Sequence, residues 1–278
     1  MNYTGKKVVL VLGSTGMLGN AVCEILHKRE DMLVTGSYRH LNIGNCVKSV
    51  NTRVYFDPLT ARLDDRIPDE TDYVINCIGT IKPFMNKNIA DSIYINSLFP
   101  HKLANYCNEH NMKLIHITTD CVYSGLRGPY NESDVHDAQD DYGKSKSLGE
   151  PKNCMVIRTS IIGPEIHKNA SFVEWVKTLH GREAKGFTNH LWNGITTKQY
   201  GRVCDAIIRE NKYKTGTFHV NSPDHMSKYE MIEAIAERYG IRPILAKSED
   251  TKAIDRRLLS LHNLGIQIPK IREQIREM

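Results

Sequence analysis

The stretch Val8-Val9-Leu10-Val11-Leu12-Gly13-Ser14-Thr15-Gly16-Met17-Leu18-Gly19, continued by Asn20-Ala21-Val22-Cys23-Glu24-Ile25-Leu26, decides how the rest of the chain is read. Five apolar, β-favouring residues run without alternation, as a strand covered on both faces does. Three glycines follow, and then Met17, Leu18, Ala21, Val22, Ile25 and Leu26 recur at the period of an amphipathic helix. A strand, a glycine turn and a helix in this order predict a dinucleotide site. Gly13 permits the tight turn, Gly16 lets backbone approach a pyrophosphate, and Gly19 lets helix and strand pack closely. The anion then rests on free N–H groups at the positive end of the helix, between Thr15, Met17 and Leu18.

Working outward, apolar β-rich runs at 33–37, 54–56, 73–77, 114–118 and 155–159 alternate with helical patterns through the first two thirds of the chain. This alternation predicts an α/β fold of the Rossmann type, a doubly wound parallel sheet covered on both faces. After Gly163-Pro164 the character changes. Segments 171–179, 198–209 and 228–239 read as helices around a strand-like 216–220. The expected division is a dinucleotide-binding domain over 1–163 and a smaller, discontinuous substrate lobe over 164–278, some segments of which return to the first domain.

Composition narrows the function classes. Of 278 residues, 40% are hydrophobic and 25% charged, a globular composition. Lys and Arg number 37 against 32 Asp and Glu, and this excess of +5 is far from the basic stripe of a nucleic-acid domain. The seven cysteines, at 23, 46, 77, 107, 121, 154 and 204, form no CxxC pair, so we expect reduced thiols and a cytoplasmic protein. No run of 18 apolar residues and no secretion signal is legible, so no membrane partner is expected. The histidines show no metal-ligand spacing, and no metal is expected.

At the end of the second strand, where an NAD enzyme places a carboxylate against the ribose 2′-hydroxyl, stands Gly36-Ser37-Tyr38-Arg39. A hydroxyl at Ser37 and a guanidinium at Arg39 suit a 2′-phosphate, so NADP(H) is the expected cofactor, with NAD(H) as the alternative if Arg39 is only a solvated charge. Asp57, and Cys77-Ile78-Gly79 after Asn76, lie past further strand ends where ligands of open sheets collect. Tyr142-Gly143-Lys144-Ser145-Lys146, behind the capping candidates Asp140 and Asp141, puts a phenol and an ammonium on one helix face. An ammonium beside a phenol lowers its pKa toward neutrality, which makes Tyr142 a candidate general acid–base. A hydroxyl at the end of the fifth strand, Thr119 by our reading, completes the set.

Thr119-Asp120-x-Val122-Tyr123, Tyr142-x-x-x-Lys146-x-x-Gly149-Glu150 and Arg158-Thr159-Ser160 together resemble the dTDP-4-dehydrorhamnose reductase branch of the extended short-chain dehydrogenase/reductases, over roughly residues 6–220. The resemblance implies a Rossmann domain with a small substrate domain, reduction of the 4-keto group of a nucleotide sugar with NAD(P)H, a catalytic triad of Thr119, Tyr142 and Lys146, and a homodimer. The chain departs from that branch at Cys121, where its members usually carry an aromatic residue. The related GDP-fucose synthases place a catalytic cysteine there, so Cys121 is either a base for 3- or 3,5-epimerisation or a small packed side chain. In the first case His167 or Lys168 is the partner acid. Asn189, His190 and Trp192 stand where family members line the sugar pocket, with Trp192 either a stacking platform or an anchor for the lobe. Thr80 and Lys82 are further substrate candidates. Two alternatives remain open: a nucleotide-sugar epimerase or dehydratase that recycles bound NAD, and a non-catalytic nucleotide-binding regulatory subunit.

Overall fold

The computed structural model describes residues 5–44, 47–167 and 169–278. Its centre is a seven-stranded, wholly parallel sheet. Six strands are β1 (Lys7–Leu12), β2 (Met32–Tyr38), β3 (Thr52–Tyr55), β4 (Tyr73–Asn76), β5 (Lys113–Thr119) and β6 (Met155–Thr159). Gly216–His219 adds to β6 as the seventh, so the order across the sheet is 216–219, β6, β5, β4, β1, β2, β3. The direction of winding reverses between β1 and β4, and ligands of open α/β sheets bind at such a point, beyond the carboxyl ends of the strands.

β1 shows why its sequence does not alternate. Val9 and Val11 face one core with Val22 and Leu26 of α1 (Met17–Leu26), while Leu10 and Leu12 face another with Leu103 and Cys107. All four strand residues are fully buried. α2 (Leu41–Gly44), α3 (Lys82–Met85) and α4 (Ile89–Ile93) precede α5 (Phe99–Glu109), which covers the second core with Phe99, Leu103, Tyr106 and Cys107. Between α4 and α5, Tyr94–Leu98 forms a π-helical turn. α6 (Asp141–Leu148) follows β5.

Beyond β6 the chain contributes to two separate cores. α8 (Thr197–Arg209), introduced after α7 (Phe172–Lys177), buries Val203 and Ile207 in the same core as α1. α7, α9 (Lys228–Tyr239) and α10 (Ile271–Arg276) instead enclose a third core around Val173, Val176, Met231, Ile235 and Ile275. Among the described residues no helix is long and apolar enough to cross a membrane.

Candidate active site

One cavity of about 480 Å³ lies across the carboxyl ends of β1, β4, β5 and β6. Thr15, Gly16, Met17 and Leu18 form one wall, Cys77, Ile78, Gly79, Thr80 and Lys82 a second, and Thr119, Cys121, Tyr142 and Lys146 a third. The glycine turn and the tyrosine–lysine pair, 126 positions apart between Gly16 and Tyr142, thus face a shared space.

The turn fits a pyrophosphate. Gly13 holds φ +81°, in the region that favours glycine, and its carbonyl accepts from Gly16 N at 2.9 Å. A Cβ on Gly19 would stand 2.2 Å from the Gly13 carbonyl oxygen, so the close seating of α1 needs this glycine. α1 starts without a side-chain cap, leaving its first-turn donors toward the cavity. Ser37 serves this turn from below: its Oγ accepts from Gly13 N at 2.8 Å, and its carbonyl accepts from Ser14 Oγ at 2.7 Å. Arg39 is exposed beside it and outside the cavity lining. Asp57 also lies outside the lining, and its carboxylate accepts from Leu59 N at 3.1 Å as a turn cap.

α6 is positioned by backbone contacts and a cap. Asp140 accepts from Gly143 N at 2.7 Å, as N-cap residues do. A Cβ on Gly143 would lie 2.3 Å from the Cys121 carbonyl oxygen, and one on Gly149 would lie 1.8 Å from that of Asn96. Both ends of the helix therefore rest directly on neighbouring backbone. Lys82 donates to Asp140 at 2.7 Å and stands 5.8 Å over the Tyr142 ring, which ties the loop after β4 to the start of α6.

The electrostatics differ from the sequence expectation in one respect. Lys146, 5% exposed, donates to the Ile117 carbonyl at 3.1 Å, and burial brings its pKa down to about 8 against the pull of Glu150. Tyr142 is not lowered. Burial first, then Cys121, raise the phenol above its ordinary range, Thr119 draws it down by a hydrogen bond, and Asp120 and Asp140 raise it further. Desolvation of a buried phenolate thus outweighs the helix spacing. The Cys121 thiol is pushed up to about 11, chiefly by burial and then by Asp120.

Sequence reasoning missed the residue that joins two of the walls. Asn96, fully buried in the π-helical turn, accepts from Thr80 N at 2.8 Å and donates to the Thr80 carbonyl at 2.9 Å and to Ser145 Oγ at 3.1 Å. It clamps the loop after β4 to α6 between Tyr142 and Lys146. A second tie runs through Asn76 to the buried His116 at 3.1 Å, while Asn76 Oδ1 holds Ile78 N at 3.1 Å.

The sugar-pocket expectation for 189–192 does not match the arrangement. Trp192 is 5% exposed and belongs to the third core, on a strand paired with Met226. Asn189 exchanges two hydrogen bonds with the Asp250 backbone, and His190 stands 3.2 Å from the Asp250 carboxylate and against Phe187. None of the three lines the cavity. The anchoring alternative for Trp192 describes its surroundings. Beyond β6 the cavity is bounded instead by Glu165, Ile166 and His167, and Lys168 lies outside the described residues.

Residues 7–260 match the family model described as RmlD substrate binding domain. The chain is 27% identical to the spore coat polysaccharide biosynthesis protein SpsK of Bacillus subtilis, across 84% of this chain and 80% of that protein. It is also 27% identical to methionine adenosyltransferase 2 subunit beta of Danio rerio, across 86% and 76% respectively. Among solved structures, dTDP-4-dehydrorhamnose reductase of Bacillus anthracis in complex with NADP superposes with a TM-score of 0.74 at 19% identity over 98% of both chains. With the family model spanning the whole central sheet and both the glycine-turn and tyrosine–lysine walls, the chain belongs to the RmlD substrate-binding-domain family.

Proposed function

We propose that this protein is an NADPH-dependent reductase of the 4-keto group of a nucleotide-activated 4-keto-6-deoxy sugar. The observation that carries the reading is the meeting of the glycine turn, Thr119, Tyr142 and Lys146 in one cavity. The Bacillus anthracis relative, a dTDP-4-dehydrorhamnose reductase in complex with NADP, supports both the reaction and the cofactor.

The dinucleotide, when bound, supplies hydride chemistry; the protein supplies position and proton. The first turn of α1 would hold the pyrophosphate, Lys146 the nicotinamide ribose, and Arg39 the 2′-phosphate from the rim. Tyr142 then protonates the oxygen that becomes the C4 hydroxyl, held in place by Thr119 and the Asn96 clamp. Thr80 and Lys82 stand on the substrate side of the cavity. A phenol held neutral by burial is in the protonation state that reduction requires. We assign Cys121 to the cavity wall, because a thiol that titrates at about 11 is a poor base at neutral pH, and infer reduction without epimerisation.

The test is incubation with NADPH and a UDP- or dTDP-4-keto-6-deoxy sugar in deuterated water. Stoichiometric loss of NADPH with no deuterium at C3 or C5 of the product is expected. Deuterium at either carbon restores the epimerase role of Cys121, and turnover without net oxidation points to recycled NAD. The similarity to a methionine adenosyltransferase subunit favours, as second reading, a non-catalytic NADP-binding subunit. That reading predicts NADPH binding with no turnover on any keto sugar.

A further inference from the structure

Several cations of this chain that are drawn out of solvent are already paired: Arg158 with Glu150, Arg257 with Asp255 and Lys177 with Glu174. Two others are not. Lys228 and Arg256, both half-buried, form no ion pair among the described residues. A cation taken partly out of water without a carboxylate costs stability, so such a pair points to an anion that arrives with a ligand. Lys228, the first residue of α9, stands 4.6 Å over the Phe172 ring. Arg256 donates from Nε to the Tyr123 carbonyl at 2.9 Å and from one terminal nitrogen to the Ser124 carbonyl at 3.1 Å, which leaves its other terminal nitrogen uncommitted.

These contacts tie both cations to the cavity. Tyr123 and Ser124 directly follow the turn that carries Asp120 and Cys121 in its wall. Phe172 opens α7, whose Glu174 accepts from the N–H of the wall residue Glu165 at 3.1 Å. The small sheet of 226–227, 190–192 and 254–255 sets Ser227, Leu191 and Asp255 in one row, and Lys228 and Arg256 are the next residues beyond its two outer members. Two strand spacings, about 10 Å, therefore separate the backbone from which the two side chains start. Phe172 in turn stacks on Trp175, with 5.6 Å between ring centroids and 30° between planes, and Trp175 is 42% exposed, so part of the indole is free. Burial lowers the Lys228 ammonium below its ordinary range, while Asp120 and Cys121 of the wall raise it and Arg256 lowers it.

We propose that Lys228 and Arg256 hold the diphosphate of the sugar nucleotide, and that Trp175, backed by Phe172, stacks on its base. This deepens the reductase reading and rests on it. C1 and C4 lie on opposite sides of a sugar ring, so a sugar that presents C4 to Tyr142 carries its diphosphate one ring width away from the tyrosine–lysine wall. The diphosphate is dianionic and meets two cations, Arg256 through the free arm of its fork and Lys228 as a point charge. A ring face reads no base edge, so thymidine and uridine diphosphates are expected to bind alike.

The test is calorimetric titration of the full chain, saturated with NADPH so that the glycine turn is filled, with dTDP, UDP and inorganic pyrophosphate. Lys228→Met, which keeps the apolar stem over Phe172, is expected to raise the Kd for all three about tenfold. Arg256→Lys, which keeps a donor for the Tyr123 carbonyl, is expected to raise them about threefold. Unchanged binding in both variants overturns the proposal, as does a Lys228→Met that weakens the nucleotides and spares pyrophosphate, because the lysine then acts through the ring alone. Trp175→Ala is expected to weaken dTDP and UDP about fivefold and leave pyrophosphate within about twofold. Unchanged nucleotide binding there, or a more than tenfold difference between dTDP and UDP in the parent, overturns the part given to the indole. In the reductase assay Lys228→Met is expected to raise the sugar-nucleotide KM about tenfold with kcat and the Kd for NADPH within about twofold; a lowered kcat at unchanged KM overturns the assignment. Failure of the reductase reading shows separately, as no turnover in a parent protein that still binds dTDP.

Discussion

The stretches 142–149 and 189–192 are both dense in residues able to serve a site, yet one forms a wall of the cavity and the other lies away from it. The first is attached to the sheet: α6 rests on the turn after β5 at Gly143 and on the π-helical turn at Gly149, and its lysine reaches a β5 carbonyl. The second is attached to the third core by Trp192 and to the 248–255 segment by Asn189 and His190. Composition alone does not separate them. What separates them is whether a residue is indexed to a strand end of the central sheet, because the register of the sheet fixes where that end points.

The comparison breaks most severely at Tyr142. Tyr142→Phe is expected to lower turnover by about three orders of magnitude while the Kd for NADPH stays within about twofold. Unchanged turnover removes the assignment of the third wall. The next effect is at the clamp. Asn96→Ala leaves the Thr80 N–H and carbonyl without their partner, which costs about 2 kcal/mol of stability by denaturant titration. Misplacement of α6 is expected to lower kcat about tenfold as well. A variant that loses stability with full kcat shows that the clamp serves folding alone.

At the rim the effect is confined to one substrate. Arg39→Ala is expected to raise the KM for NADPH about tenfold and leave that for NADH unchanged; equal changes in both exclude Arg39 from the 2′-phosphate. The smallest effect sharpens the comparison from the other side. His190→Ala is expected to leave kcat/KM within about twofold, as for a residue outside the site. A tenfold rise in the sugar-nucleotide KM returns 189–192 to the pocket.

The first half of the fold is legible because a strand buried on both faces and a glycine turn before a helix each impose a local rule, and β1 and α1 obey both. The tyrosine–lysine pair and its Asp140 cap follow from helix spacing in the same way. The π-helical turn is not legible: Ile93 and Leu98 are apolar yet exposed, and between them a turn with i to i+5 hydrogen bonds turns Asn96 inward instead. The adjacent Asn96-Ser97 in the run Tyr94-Ile95-Asn96-Ser97-Leu98 was the available signal. The ionisation of Tyr142 escaped for another reason. Spacing reports which charges are neighbours, whereas desolvation depends on everything packed around them.

The two glycines that seat α6 have a consequence for how this scaffold accommodates new ligands. A helix pressed at each end against carbonyl oxygens has no slack along its axis, so the phenol and ammonium behave as a fixed gauge against which any bound molecule is measured. Adaptation to a bulkier or differently charged sugar then falls to side chains that line the cavity from outside the helix, Lys82 after β4 and Glu165 to His167 after β6. Substrate range in this chain is accordingly expected to change by substitution there, with the gauge left untouched.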